Sequence, residues 1–347
     1  MATSLSNSTT IAAKPVRIVQ GSTTFDPRAV VPHLAITDAR KLIKAKYDSV
    51  GSILGKSVSD VQGLADQLVF FQNFANGCIV ATALQASSVF EIHGAIYGKW
   101  NEMGRFAYGL PMTDETSTPD ATGGRYNHFT GGRSIYWRQD TGAHAIYGDI
   151  RMLWAQNGWE RSELGFPVSD EMNAPDGVGR QVDFQYGSIY WAPDTGAYVL
   201  PETLTWSGQI LTPGINALGG NYEITLYRNG HFIFKGALTD TGYEDYDAYI
   251  AAILIDPYGF AYSFEHSSHT VGRLFGSDTD NWVNAGYNES IAKNWGKMKF
   301  AQLPDPYFTF EGAITSVLED KIGEALKKLL DKGIEIGTEY LIRLVAA

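Results

Sequence analysis

The stretches RSIYWRQDTGAH (residues 133–144) and GSIYWAPDTGAY (residues 187–198) decide how this chain folds. Both contain SIYW, two variable positions and DTGA, and they start 54 residues apart. SIYW is typical of a strand whose alternate side chains face opposite sides. DTG is typical of a turn in which Asp140 or Asp194 bonds its own backbone and the glycine takes a positive φ. A fixed period of this length predicts a repeat architecture.

Each hairpin follows the same upstream elements. A segment that ends in glycine comes first, AIYGKWNEMG at 95–104 and AIYGDIRMLWAQNG at 145–158. Such a terminal glycine is typical of the residue that follows a helix. A turn with proline comes next, GLPMTDE at 109–115 and GFPVSDE at 165–171, and proline cannot continue a helix. Each repeat is therefore predicted to be a short helix followed by a β-hairpin.

A fainter third copy precedes these two. LIKAKYDSVG at 42–51 matches the helical segment, LGKSVSD at 54–60 matches the turn without its proline, and FANGCIV at 74–80 matches the hairpin. Cys78 takes the place of the hairpin serine and is expected to be an inert buried thiol. None of the units can bury its apolar face alone, so the units must stack. The region 38–200 is expected to divide at roughly 38–93, 94–145 and 146–200.

The segments ELGFPVSDE (163–171) and YGSIYWAPDTGAYVL (186–200) closely resemble the LGFP repeat. That repeat is known from envelope proteins of mycolic-acid bacteria, where it is associated with attachment to cell-wall polysaccharide. The resemblance implies a protein that binds a glycan or polysaccharide without catalysis and without a cofactor. It is weaker in the first copy, where the proline and the Tyr-Trp pair are missing.

Charge and cysteine content exclude several protein classes. Lysine and arginine total 27 against 38 aspartates and glutamates, and the net charge of −11 argues against nucleic acid as a partner. Cys78 is the only cysteine, which excludes an intrachain disulfide. The first residues contain no continuous apolar stretch, and no apolar run is long enough to span a membrane. We therefore expect a cytoplasmic location, with release by a non-classical route left open.

The second half of the chain has a different character. Residues 203–310 alternate apolar and polar positions and contain two turn signals, RNGH at 228–231 and DPYG at 256–259. This pattern predicts an antiparallel, sandwich-like β domain. Residues 311–347 carry an apolar stripe and predict an amphipathic helix, and residues 1–37 are expected to be an N-terminal extension. The predicted fold class is α+β, with stacked helix-plus-hairpin repeats, the β domain and a C-terminal helix.

The aromatic hairpins are the candidate glycan-binding sites. One member of each pair, Tyr136–Trp137 and Tyr190–Trp191, should face the core and leave the other as a flat platform for a sugar ring. Sugar recognition also needs polar groups that bond hydroxyls. Candidates near the hairpins are Arg133, Asp140, Asp194, His93 and His144. For the two aspartates the simpler alternative is that they only close turns.

Two other interpretations stay open. In the first, the repeats target a hydrolase to polysaccharide, and its metal centre combines His266, His269, Asp278 and Asp280, although H-x-x-H places the histidines on opposite faces of a strand. In the second, the protein is a defence toxin whose tail disturbs membranes after glycan binding. The tail lacks tryptophan and its charges nearly cancel, which favours docking onto the β domain or onto a twin subunit in a homo-oligomer.

Overall fold

The computed structural model describes residues 34–64, 68–82, 88–211, 217–301 and 307–310. Antiparallel strands dominate this part of the chain, helices are few, and the strands form several small sheets. The predicted antiparallel β character is confirmed, whereas the C-terminal helix predicted at 311–347 lies outside the described residues, as does nearly all of the N-terminal extension. No helix within the described ranges is long and apolar enough to cross a membrane.

The repeat region consists of three units, each a helix followed by a four-stranded antiparallel sheet. Unit 1 contains α1 (Ile36–Leu54), β1 (Gln62–Gly63), β2 (Val69–Phe74), β3 (Gly77–Thr82) and β4 (Ser88–His93). Unit 2 contains α2 (Gly94–Glu102), β5 (Thr116–Ser117), β6 (Arg125–Phe129), β7 (Arg133–Arg138) and β8 (Gly142–Tyr147). Unit 3 contains α3 (Gly148–Gln156), β9 (Met172–Asn173), β10 (Arg180–Phe184), β11 (Gly187–Ala192) and β12 (Gly196–Val199). In units 2 and 3 the predicted hairpin is the last strand pair, and two further strands extend it into a sheet.

One interaction recurs in all three units and fixes the turn after each helix. An aromatic side chain from the second half of the helix donates a hydrogen bond to a glycine carbonyl in that turn. The pairs are Tyr47–Gly55 (3.1 Å), Trp100–Gly109 (3.1 Å) and Trp154–Gly165 (3.2 Å). Each glycine has a positive φ, which a residue with a side chain would adopt only with strain. The same aromatic rings pack on an equivalent phenylalanine at distances of 4.8, 6.2 and 5.4 Å from Phe74, Phe129 and Phe184.

The units stack so that α2 and α3 each lie between two sheets. Helix α2 contacts β3 and β4 on one side and β7 and β8 on the other, and α3 lies in the same way between units 2 and 3. Ile135 belongs to the core around Trp100 of α2. Its neighbour Tyr136 packs on Trp154 of α3, with ring centroids 4.7 Å apart. Both faces of the middle sheet are therefore covered, because the units bury their apolar faces on one another.

An arginine from the following layer ties each sheet to the next. The hydrogen bonds join Arg105 to Asn73 Oδ1 (2.9 Å), Arg151 Nε to Ser134 Oγ (2.6 Å) and Arg228 to Ser188 Oγ (2.7 Å). In unit 1 the serine position holds Cys78, which is fully buried with its Sγ 3.5 Å from Arg105. Burial raises the pKa of the Cys78 thiol to about 12. The reactive thiolate is therefore disfavoured, which agrees with an inert buried cysteine.

Two antiparallel sheets form the domain that follows unit 3. The first contains β13 (Thr203–Leu211), β14 (Leu218–Tyr227), β15 (His231–Asp240) and β18 (Asp278–Tyr287). The second contains β16 (Tyr246–Ile255), β17 (Ala261–Thr270) and β19 (Tyr307–Phe310). Two short helices, α4 (Glu289–Lys293) and α5 (Trp295–Met298), follow β18. The sheets face each other across a shared core, in which the Phe264 ring lies 5.1 Å from the Phe232 ring.

This β domain covers the outer face of unit 3. Asp176 Oδ2 accepts hydrogen bonds from the Tyr190 hydroxyl (2.7 Å) and from the Tyr258 hydroxyl (2.6 Å). Trp295 Nε1 donates to the Pro201 carbonyl at 2.8 Å. The β domain therefore occupies the place that the following helix takes on units 1 and 2.

Candidate glycan-binding surface

The structure places the two aromatics of each SIYW strand in different surroundings. Tyr136 and Tyr190 are buried, with 3% and 0% of their surface exposed, because their side of the sheet packs on the next layer. Trp137 and Trp191 lie on the other side, half-buried at the edge of the core formed with their own helix. The predicted platform role therefore does not fit the tyrosines. It fits only the tryptophans, which keep part of their surface in solvent.

Each tryptophan belongs to a row of residues that lie opposite one another on adjacent strands. In unit 2 the row joins Arg125, Trp137 and Ala143, and in unit 3 it joins Arg180, Trp191 and Ala197. Directly opposed residues share one face of an antiparallel sheet. An indole is thus flanked on one side by a guanidinium and on the other by the small alanine side chain. We call this set the Arg–Trp row.

A buried glutamate orients the arginine of each row. Glu115 Oε1 lies 3.1 Å from Arg125 Nε, and Glu171 Oε1 lies 3.2 Å from Arg180 Nε. The two carboxylates are 8% and 9% exposed, whereas the arginines are about one-third exposed. Burial raises the pKa of both glutamates above the ordinary value. Arg125 also donates to Ser117 Oγ, and Arg180 also donates to Asn173 Oδ1 and to the Glu171 carbonyl, so few N–H groups of either guanidinium remain unpaired. Each row therefore holds a fixed, partly exposed cation beside a flat apolar ring, and sugar recognition uses polar groups next to such a ring.

The two rows differ where they meet the start of the unit's helix. In unit 3, Trp191 Nε1 donates to Asp149 Oδ2 at 2.7 Å, and Arg180 lies 3.5 Å from the Tyr147 hydroxyl. In unit 2 the corresponding positions hold Ala95 and His93. The row of unit 3 is therefore held by more side-chain hydrogen bonds at the helix start, and the two rows are not identical sites.

His93 supports the row of unit 2 from within the junction between units 1 and 2. Its Nδ1 lies 2.7 Å from Glu91 Oε2, and its Nε2 lies 3.3 Å from Glu115 Oε1. The hydrogen bond with Glu91 raises the pKa of His93. Glu115 Oε2 is buried, and it has no hydrogen-bond partner among the described residues. His93 is thus a positioning residue for the Glu115–Arg125 pair and does not itself present a surface to a ligand.

His144 belongs to a second contact between units. Its Nε2 lies 2.7 Å from the Thr141 carbonyl, and its Nδ1 is 3.7 Å from Asp170 Oδ1. Asp170 also accepts a hydrogen bond from the Ala145 amide at 2.8 Å and pairs with Lys99 at 2.9 Å. Burial alone would raise the pKa of Asp170, but His144, the amide and the ammonium together hold it well below its ordinary range. These contacts fasten unit 3 to unit 2.

The remaining candidates of the hairpins have structural partners. Arg133 lies over the Tyr108 ring at 5.5 Å and donates to the Ala107 carbonyl at 3.2 Å. Asp140 pairs with the neighbouring Arg138 at 3.0 Å. Asp194 pairs at 2.7 Å with Lys297 of the β domain. The two aspartates remain at least half exposed, so their pairing does not remove them from solvent.

The structure pairs two of the four candidate metal ligands but does not bring all four together. His266 Nε2 lies 2.8 Å from Asp280 Oδ2, whereas His269 Nδ1 lies 2.7 Å from Asp247 Oδ1. Asp278 accepts from the Val271 amide and pairs with Arg273. Within the described ranges no group of three or more metal-ligating side chains is present. The cluster proposed from the sequence fails because residues three apart on a strand face opposite sides.

Sequence reasoning missed the arginines and glutamates of the rows. Arg125 and Arg180 lie on strands that the hairpin pattern does not include, and only strand register brings them next to the tryptophans. A signal was nevertheless present. The turn motifs GLPMTDE and GFPVSDE both end in glutamate. In both copies an arginine also stands at the start of the strand that precedes SIYW.

Comparison with known families identifies the repeat in units 2 and 3. Residues 109–162 and 164–205 each match the family model described as the LGFP repeat, so units 2 and 3 contain LGFP repeats. The first match begins at the turn after α2 and continues through the sheet into α3, so its frame is offset from the units defined above. No curated protein matches the chain.

Proposed function

We propose that this protein is a non-catalytic, lectin-like carbohydrate-binding protein that recognises cell-surface or cell-wall glycans through the Arg–Trp rows of units 2 and 3. The LGFP repeat is often linked to association with cell walls or carbohydrate, which supports the general class. The rows give that class a chemical basis, because each combines an aromatic face with oriented donors.

One observation carries the proposal: unit 1 forms the same sheet without the row. The positions of Arg125 and Trp137 correspond to Phe70 and Ala81 in the strand register of unit 1. Both of these residues are buried in a core with α1. Arginine and tryptophan are therefore not requirements of this fold, and their presence in both family-matched units favours a role in binding.

Two rows on one chain would also strengthen weak binding to a polymer. A single contact between an indole and a sugar ring is expected to be weak. When one site holds a polysaccharide, the second site meets a high local concentration of the same ligand. A repetitive glycan should consequently bind much more tightly than its isolated monosaccharide.

The test is a glycan array with the full chain, followed by titration of the best polysaccharide against row variants. Trp137→Ala and Trp191→Ala should each weaken binding about tenfold, and the double variant should lose more, because avidity disappears. Tyr186→Ala is the matched control, since Tyr186 is an aromatic of unit 3 with 75% of its surface exposed but lies outside the row.

Two outcomes would overturn the proposal. A folded protein that binds no galactan, arabinan or other glycan on the array would remove the function itself. Binding that is lost in Tyr186→Ala but retained in the double tryptophan variant would keep carbohydrate recognition and reject the rows as its site. Circular dichroism of each variant shows that the comparison is between folded proteins.

A further inference from the structure

Four apolar side chains are exposed at the end of the β domain that lies away from the repeats. They are Tyr243, Val271, Leu274 and Phe275, with exposed fractions of 74%, 43%, 72% and 89%. They come from the loop between β15 and β16 and the loop between β17 and β18. Scattered exposed apolar residues are normal, but a group of large ones from two adjacent loops marks a contact surface. We call this group the apolar tip.

The two loops of the tip are fixed against each other. The Arg273 amide donates to the Gly242 carbonyl at 2.9 Å, and the Gly272 amide donates to Asp245 Oδ1 at 2.9 Å. A Cβ at Gly272 would collide with the backbone of Tyr243, so the close approach requires glycine here. Arg273 is held by Asp278 at 2.8 Å. The hydrogen bonds therefore fix the two loops against each other, and the four apolar side chains are exposed from them.

The path of the chain brings its last segment to this same end. Strand β19 pairs with β16, with Tyr307 opposite Ala251 and Phe310 opposite Ala248. The strand thus runs toward the start of β16, which is where the loop containing Tyr243 ends. Residues 311–347, 37 in number, continue from that point. The opposite end of the domain holds the turns that contact unit 3, through Arg228 and Tyr258.

We infer that the apolar tip is the docking surface for the C-terminal segment of the same chain, residues 311–347. Six apolar residues of this segment recur at helical spacing and form one stripe: Ile314, Leu318, Ile322, Leu326, Leu329 and Leu330. A helix with such a stripe gains its stability mainly by packing the stripe on another surface. The tip is an apolar surface of the matching kind, and it lies where the segment begins.

Charge argues against one other occupant. Glu244, Asp245, Asp247 and Asp278 lie in or next to the two loops, and Arg273 is the one lysine or arginine within the loop residues 241–245 and 271–277. Within 314–332 the segment carries lysines at 321, 327, 328 and 332 and an equal number of acidic residues, at 319, 320, 324 and 331, so its net charge does not select it as the occupant. The acidic residues of the tip oppose binding to an anionic lipid surface. This inference is independent of glycan binding by the repeats.

Hydrogen exchange measured by mass spectrometry on the full chain tests the contact. Amides within 311–347 should exchange at least tenfold faster in Leu274→Ser/Phe275→Ser than in the unaltered protein. Val283→Ser is the matched control, because Val283 has the same 72% exposure as Leu274 but lies on β18 away from the tip. It should leave exchange in 311–347 unchanged, and glycan binding should be the same in all three proteins.

The same measurement distinguishes the other occupants. Exchange in 311–347 that is already at the rate of an unfolded peptide, or that does not respond to the tip variant, overturns the inference. Protection that disappears on dilution while light scattering shows a dimer dissociating assigns the tip to a second copy and overturns the same-chain contact. Flotation of the full chain, but not of the tip variant, with phosphatidylcholine–phosphatidylglycerol vesicles assigns the tip to a membrane and also overturns it.

Discussion

Unit 1 and the two units that follow it share their architecture but differ in one row of residues. All three place a helix aromatic on the glycine carbonyl of the next turn and pack it on a phenylalanine. Only units 2 and 3 carry arginine and tryptophan on the strand face beside the helix start. The contact between the helix aromatic and the glycine carbonyl therefore belongs to the fold, because it recurs in all three units. The Arg–Trp row is an addition found in units 2 and 3.

Unit 1 lacks the Arg–Trp row, and the greater length of its helix explains why. Helix α1 has 19 residues, whereas α2 and α3 each have 9. Ala39 lies in the additional first turn of α1, and Ile43 lies at the position of Ile96 and Ile150. Both belong to the same buried cluster as Phe70 and Ala81. The shorter helices of units 2 and 3 leave the corresponding face partly open, and there the tryptophan stays half-buried. The covered row is part of the core, whereas the rows of units 2 and 3 keep part of their surface in solvent.

The largest effect is expected from breaking the shared interaction. Trp154→Ala removes a fully buried indole between two sheets and should lower the free energy of unfolding by about 3–5 kcal/mol. Tyr47→Phe in unit 1 removes only the hydroxyl that bonds Gly55 and should cost about 1 kcal/mol. Urea denaturation measures both values. If Trp154→Ala cost no more than Tyr47→Phe, the recurring aromatic would not be what holds the units together.

A smaller effect should follow when the row is imposed on unit 1. Ala81→Trp places an indole where Ala81 is completely buried, and this overpacking should cost about 1–3 kcal/mol in urea denaturation. The control is Val58→Trp, because Val58 is 64% exposed in the same unit, and it should change stability by less than about 0.5 kcal/mol. Equal stability of the two variants would show that α1 does not cover this position.

The sequence alone predicts much of what the units share. The period, the prolines and the helix-ending glycines are local signals, and Gly104 and Gly158 indeed adopt left-handed backbone conformations directly after α2 and α3. What it does not predict is how stacking covers both faces of a sheet. The alternation in SIYW suggests that one aromatic of each pair is buried and the other exposed. Tyr136 is buried because Trp154 of α3 and Trp159 of the next unit pack on it.

The row escapes prediction for a related reason. Arg125 and Trp137 are joined by strand register, not by spacing along the chain, and a pattern of single strands does not give register. The metal candidates show the limit of spacing in another way. His266 and His269 are close in sequence, but the strand places them on opposite faces and each pairs with a different carboxylate.

The smallest expected effect concerns pH at the two junctions between units. Glu91 and His93, at the junction of units 1 and 2, are replaced by Ala145 and Tyr147 at the next junction. The hydrogen bond with Glu91 raises the pKa of His93, with Glu115 acting in the same direction, while burial and Arg125 oppose the shift. A raised histidine pKa stabilises the folded state fully below the ordinary value of about 6.5, and this stabilisation is lost as the pH rises through the raised value. The urea midpoint should therefore include the stabilisation by His93 at pH 6 and should lack it at pH 8.5.

The double variant Glu91→Ala/His93→Tyr places at the first junction the residue types that Ala145 and Tyr147 provide at the second. It serves as the comparison protein. All other histidines are common to both proteins, so the difference between their urea midpoints isolates the junction. This difference should favour the unaltered protein more at pH 6 than at pH 8.5. If the difference between the two midpoints stays constant with pH, or grows toward pH 8.5, then His93 and Glu91 do not give the first junction a pH dependence that the second junction lacks.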